Sequence, residues 1–142
     1  MRQIVIVDDD PDYTSLLERA FKDVGFKGTL KIIHDGKDLL GYLDVNDRPI
    51  LVLLDINMPG CSGLDLLKIV KGIDHLRAIP VVMLSASEYT EDIKESYSYG
   101  ANAYMVKPLI YQDLQQIIGL LNQYWTGVSR TIAGHWSDSS HY

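Results

Sequence analysis

The sequence predicts an α/β fold: a five-stranded parallel sheet, doubly wound by helices on both faces. Three observations lead there. Short apolar runs alternate with stretches of helical periodicity along the whole chain. The runs are rich in Val, Ile and Leu, as in strands covered on both faces. Two of them stop directly at carboxylates: Ile4-Val5-Ile6-Val7 at Asp8-Asp9-Asp10, and Ile50-Leu51-Val52-Leu53-Leu54 at Asp55. In open α/β sheets, ligands and chemistry collect at the C-terminal ends of the strands.

Residues 4–7 read as the first strand. Leu16, Leu17, Ala20, Phe21 and Val24 then follow helical spacing, with Gly25 as the stop. The second strand is expected over Thr29–Ile33, and Asp35 caps a short helix running to about Leu43. Residues 50–54 form the third strand after Pro49. Ser62 caps a helix carrying Leu64, Leu67 and Val70, and residues 80–84 form the fourth strand. Thr90 with Glu91 and Asp92 starts a helix, since acidic groups suit a first turn, and Gly100 ends it. Residues 102–106 form the fifth strand. Ile110, Leu114, Ile117, Ile118 and Leu121 mark a last amphipathic helix. Five βα units in succession predict the flavodoxin-like strand order 2-1-3-4-5.

The length of 142 residues fits one domain, expected over residues 1–125. From about Thr126 the chain turns to Ser, Gly and His and loses periodicity, so residues 126–142 read as a disordered or loosely docked tail. The net charge is −6 without a basic stripe, which argues against nucleic acid and anionic membrane as partners. Cys61 is the single cysteine, so an intrachain disulfide is excluded and a reducing, cytoplasmic setting fits. No signal sequence opens the chain, and no apolar stretch approaches the ~20 residues that span a bilayer.

Strands 1 and 3 flank the switch point of this strand order, so Asp8, Asp9 and Asp55 should converge in one crevice. Clustered carboxylates repel unless a cation holds them, and Mg²⁺ takes oxygen ligands while keeping open positions. A carboxylate can itself be the nucleophile of phosphoryl transfer and form an aspartyl phosphate. Lys107, after the fifth strand, would complete such a site as a point charge, and Ser85, after the fourth, adds a hydroxyl.

Four segments carry a resemblance: Val5-Ile6-Val7-Asp8-Asp9-Asp10, Leu54-Asp55-Ile56-Asn57-Met58-Pro59-Gly60-Cys61-Ser62-Gly63, Ile79-Pro80-Val81-Val82-Met83-Leu84-Ser85-Ala86, and Gly100-Ala101-Asn102-Ala103-Tyr104-Met105-Val106-Lys107-Pro108. In this order and spacing the chain resembles the response-regulator receiver domain of two-component signalling, in its stand-alone, CheY-like form. The resemblance implies Asp55 as phosphoacceptor. It implies a Mg²⁺ site, in which Mn²⁺ substitutes, from Asp8, Asp9, Asp55 and the backbone carbonyl of Asn57. It further implies that Ser85 and Lys107 bind the phosphoryl group, that Tyr104 is an aromatic switch, and that Lys107–Pro108 is cis. The implied partners are a sensor histidine kinase or phosphotransfer protein, and a downstream protein on the face of helix 4, strand 5 and helix 5. The form is a monomer or a phosphorylation-linked dimer. The long stretch at residues 71–79 resembles small receivers that serve phytochrome-type kinases. No effector domain follows, so the expected protein is a switch, catalysing only its own phosphorylation and dephosphorylation.

Blander explanations compete at several positions. An acidic triplet after a strand is often a solvated turn, and Asp10 before Pro11 reads as a helix cap. Met58-Pro59-Gly60 shapes the backbone. Cys61 reads as a loop thiol, and His34, His75, His135 and His141 lack ligand spacing. Tyr97, Tyr99, Tyr104 and Tyr111 suit either packing at the sheet edge or a partner surface. Two other functions compete with the receiver. A haloacid-dehalogenase-type phosphatase needs a carboxylate two residues after the nucleophile, where Asn57 stands. A flavin carrier would bring a phosphate against Asp8, Asp9 and Asp10.

Overall fold

The computed structural model describes residues 2–128. Strand β1 spans Gln3–Val7 and helix α1 Pro11–Asp23. Strand β2 spans Thr29–Ile33, and a 3-10 turn at Gly36–Asp38 leads into α2, Leu39–Val45. Strand β3 covers Leu51–Leu54. A two-residue hairpin follows, β4 Asn57–Met58 paired antiparallel with β5 Cys61–Ser62. Then come α3 Gly63–Gly72, β6 Val81–Ser85, α4 Thr90–Ser98, β7 Ala103–Val106 and α5 Tyr111–Asn122. The main sheet is parallel, in the order β2-β1-β3-β6-β7. With β6 and β7 as its fourth and fifth strands, this is the expected winding.

Alternate residues of the central strands face opposite cores. Val5, Val7, Val52, Leu54, Val81 and Met83 pack with Leu39 and Leu43 of α2 and Leu66, Leu67 and Val70 of α3. Ile4, Ile6, Leu51, Leu53, Val82 and Leu84 pack with Leu17, Ala20 and Phe21 of α1 and Leu114, Ile118 and Leu121 of α5. Both faces are covered, which is why these strands read as unbroken apolar runs.

Local chemistry sets the boundaries. The side chains of Asp10, Asp35 and Ser62 cap α1, the 3-10 turn and α3 by accepting N–H bonds from Asp12 and Tyr13, Lys37, and Leu64. Gly25 and Gly100 follow α1 and α4 at φ 81° and 104°, the left-handed region that ends helices.

Several expectations need correction. Leu16 is 39% exposed, and Leu66 rather than Leu64 is buried on α3. Helix phase explains both: Tyr13, Leu17, Ala20 and Phe21 line the inner stripe of α1 and leave Leu16 outside. No cis peptide bond occurs among the described residues, so Lys107–Pro108 is trans. The trans isomer is intrinsically favoured by ~0.5–1 kcal/mol, and Lys107 reaches its partners from it. Residues 126–128, at the start of the expected tail, are helical. A π-helical turn, Gln123–Val128, extends α5, and Trp125 packs on the α1–α5 core. The rest of the expected tail, residues 129–142, lies outside the described residues.

Candidate functional site

The register of the sheet builds the site. Val7 pairs with both Ile33 and Leu54, so Asp8 and Asp55 leave neighbouring strands side by side. Their backbones stay tied as the strands end: the Asp8 N–H donates to the Ile33 carbonyl at 3.1 Å and the Asp55 N–H to the Val7 carbonyl at 3.0 Å. Oxygen atoms of Asp8, Asp9 and Asp55 all lie within 4.8 Å of one another. Asp8 and Asp55 are buried, and Asp9 is more open to solvent. The first carboxylate is braced further, since Asp8 Oδ1 accepts the Asp10 N–H at 3.0 Å. The ring Nδ1 of His34 lies 3.1 Å from the Asp8 carbonyl and must donate there, because a carbonyl only accepts.

Lys107 enters from the end of β7, where its N–H donates to the Ser85 carbonyl at 2.8 Å. Strand β6 lies between β7 and β3, so the long lysine stem must cross one intervening strand end. Its Nζ reaches Asp8 Oδ2 at 2.7 Å and Asp55 Oδ2 at 3.3 Å. Burial disfavours the ammonium, but the Asp8 hydrogen bond and the charges of both acids outweigh it, and the Lys107 pKa is raised. Asp55 moves upward as well. Burial is the largest cause, and the charge of Asp8 adds to it. Lys107 and the Asn57 N–H, which bonds the carboxylate, pull it down without prevailing. The site thus holds a firmly charged cation and a carboxylate held at a cost as an anion.

A glycine lets this arrangement close. A Cβ on Gly63 would sit 1.9 Å from the Asp55 carbonyl oxygen, so only glycine fits where α3 begins. The Gly63 N–H donates to the Ile56 carbonyl at 2.8 Å, and the β4–β5 hairpin spans the intervening residues. That hairpin presents Asn57 beside Asp55. Two-residue strands lie below anything a periodicity can signal.

Ser85 is fully buried, and its hydroxyl accepts the Ser87 N–H at 3.2 Å. Ser87 in turn gathers the neighbourhood. Its hydroxyl donates to Asp92 at 2.5 Å, and its carbonyl accepts the Tyr104 hydroxyl at 2.8 Å. The Tyr104 N–H donates to the Tyr97 hydroxyl at 3.1 Å. Tyr111 lies apart from these two, bonded through its hydroxyl to Asp23 of α1 at 2.6 Å. Sequence reasoning missed Ser87 and Asp92, for which no motif signal exists. It also missed Tyr13, whose ring centroid lies 4.5 Å from Lys107 Nζ. Its signal was available: Tyr13 stands four residues before Leu17 on the inner stripe of α1.

Three carboxylates against one ammonium leave two excess negative charges in a mostly buried crevice. All the acid donors are hard oxygens, so the residues fit a hard divalent cation. The family model for the response regulator receiver domain matches residues 4–119. This chain belongs to that family.

Receiver domains accept a phosphoryl group and act as signalling switches in two-component systems. A probable methanogenesis regulatory protein, FilR2 of Methanothrix harundinacea (strain 6Ac), is 36% identical over 133 residues, covering 90% of this receiver and 86% of the relative. Among solved structures, the phosphorylated cyanobacterial phytochrome response regulator RcpA superposes with a TM-score of 0.85 at 29% identity, over 92% of this chain and 97% of that one. The Mn²⁺-bound response regulator Rcp1 gives 0.84 at 27% identity, over 92% and 99%. Both structures are response regulators. No helix among the described residues is long and apolar enough to cross a membrane.

Proposed function

We propose that this receiver takes a phosphoryl group on Asp55 from a histidine kinase or phosphotransfer protein, with Mg²⁺ bound, and thereby switches a cytoplasmic protein partner. The observation that carries the reading is the buried Asp8–Lys107–Asp55 cluster at the strand ends. Asp8, Asp9, Asp55 and the Asn57 carbonyl would hold the ion. When bound, Mg²⁺ there would neutralise charge on the phosphoryl oxygens. The Mn²⁺-bound relative supports a divalent site of this kind.

In the transfer, an Asp55 carboxylate oxygen attacks phosphorus, a new O–P bond forms, and the donor's N–P bond breaks. Desolvation makes Asp55 an uneasy anion, and that favours its reaction. Lys107 already faces Asp55 Oδ2 and needs only a short shift to pair with a phosphoryl oxygen. The Ser85 hydroxyl would leave the Ser87 N–H to bond another. Residue 87 is also where Tyr104 is anchored, so a move at Ser85 is felt at Tyr104. The partner face is then α4, β7 and α5, where Tyr97, Val106 and Ile110 stand exposed.

Incubation with acetyl phosphate and Mg²⁺ tests the core of this reading. One phosphoryl group should be added, and Asp55→Asn should abolish it. Undiminished labelling of that variant would sink the assignment. The switch is tested by Tyr104→Ala, which should keep the label while changing the phosphorylation dependence of partner binding. Unchanged dependence would remove Tyr104 from the route.

A further inference from the structure

We infer that Tyr13 is a positioning residue of the phosphoryl site: its ring face holds the Lys107 ammonium against Asp8 and Asp55 and closes the α1 side of the crevice. The inference rests on the phosphoacceptor reading above for its consequence, though not for its geometry. An ammonium has three N–H bonds. Two sides of Lys107 Nζ are taken by Asp8 Oδ2 at 2.7 Å and Asp55 Oδ2 at 3.3 Å. The Tyr13 ring, with its centroid 4.5 Å from Nζ, lies within cation–π range. Only 14% of the Lys107 side chain is exposed, so the contact is substantially desolvated, where such attraction is strongest.

The acid triplet fixes this placement. Asp10 accepts the Tyr13 N–H in capping α1, and its own N–H is donated to Asp8 Oδ1. One short segment therefore locates both the carboxylate and the ring that confine the lysine. The Tyr13 hydroxyl is buried without a hydrogen-bond partner. Burial raises its pKa, and the charges of Asp8 and Asp55 raise it further. The ring stays neutral and adds no third negative charge around Asp55.

The kind of contact matters for the reaction. A hydrogen-bond acceptor in this place would pin the ammonium along one direction. A ring face attracts it without a fixed direction, so Lys107 can slide from the Asp55 carboxylate to a phosphoryl oxygen without losing support. The ring also keeps water from the third side of the ammonium. Tyr13 acts through Lys107 and need not touch the reacting atoms.

Three measurements on the full chain decide it. Tyr13→Leu should slow phosphorylation by acetyl phosphate about tenfold, and Tyr13→Phe, which keeps the ring, should restore most of the rate. In a Lys107→Ala background, Tyr13→Leu should add no further slowing, because the residue it supports is gone. Independently of phosphorylation, the Lys107 ε-methylene protons should be shifted upfield by the ring in the wild type and in Tyr13→Phe, and not in Tyr13→Leu. Equal slowing in the Leu and Phe variants, additive slowing in the Lys107→Ala background, or an unshifted ε-methylene in the wild type each overturns the inference. A wild type that takes no label overturns the phosphoacceptor reading instead, and the methylene shift still decides the contact.

Discussion

Two ion pairs in this receiver have the same length and opposite meaning. Lys107–Asp8 and Arg77–Asp74 are each 2.7 Å apart. The first has side chains 14% and 3% exposed, the second 60% and 93%. Distance alone therefore says nothing about worth. The Arg77 pair, like His75–Asp44 nearby, sits in water, where Coulomb attraction is weak and side-chain entropy opposes it. The Lys107 cluster has been taken out of water, where an unmatched charge is expensive. With Asp9 counted, it also holds two carboxylates too many for its cation. The surface pair lies in a solvated loop, whereas the buried cluster holds excess negative charge that a divalent cation would offset.

Removing cations from the two places should give the largest contrast. Lys107→Ala leaves Asp8 and Asp55 facing each other in a buried site and should cost about 3 kcal/mol, near the low end for broken buried pairs because the lysine is partly exposed. Urea unfolding in chelator measures it, and a loss comparable to a surface pair would erase the distinction.

Glycines on one helix sharpen the same point about confinement. Gly63→Ala drives a Cβ into the Asp55 carbonyl and should destabilise by roughly 1–3 kcal/mol. Gly72→Ala, at the far end of α3, meets nothing within 4 Å and should change stability by less than ~1 kcal/mol. Equal effects would mean that the contact at Asp55 is soft.

The pH dependence follows from the raised Asp55 pKa. A carboxylate whose folded pKa lies above its unfolded value binds protons better when folded. Its contribution is favourable below the unfolded pKa and is lost as pH rises through the folded one. At pH 7 in chelator, Asp55→Asn should therefore be more stable than the wild type. That gap should close as pH falls through a window from above the usual carboxylate range down to it. A gap that widened on acidification would reverse the assignment. The smallest effect belongs to Arg77→Ala, within ~1 kcal/mol of the wild type by urea unfolding and further reduced by salt.

The sheet was legible because strands buried on both faces must be continuously apolar, and the break at each carboxylate marks where burial ends. Asp8, Asp55 and Lys107 were legible as the first polar residues after their strands, and Asp9 as the next residue after Asp8. The rest depends on side-chain packing across the fold, which spacing does not encode. The β4–β5 hairpin that presents Asn57 is too short for periodicity, so only the motif resemblance named that residue. Ser87 matters through its carbonyl, a group every residue has. Tyr13 looks like a core aromatic until Lys107 is brought over its ring by a strand ninety residues away in sequence. Leu16 read as core because apolar type outweighed helix phase in the pattern.

Asp55, and not the better-braced Asp8 or the more open Asp9, is the proposed carrier of the phosphoryl group. Labelling with acetyl phosphate and Mg²⁺, reduction of the acyl phosphate with borohydride, and peptide mapping test it directly. Reduction converts the labelled aspartate to homoserine and so marks the residue. Homoserine is expected at position 55 alone. Homoserine at position 8 or 9, or at 55 equally with either, would contradict it.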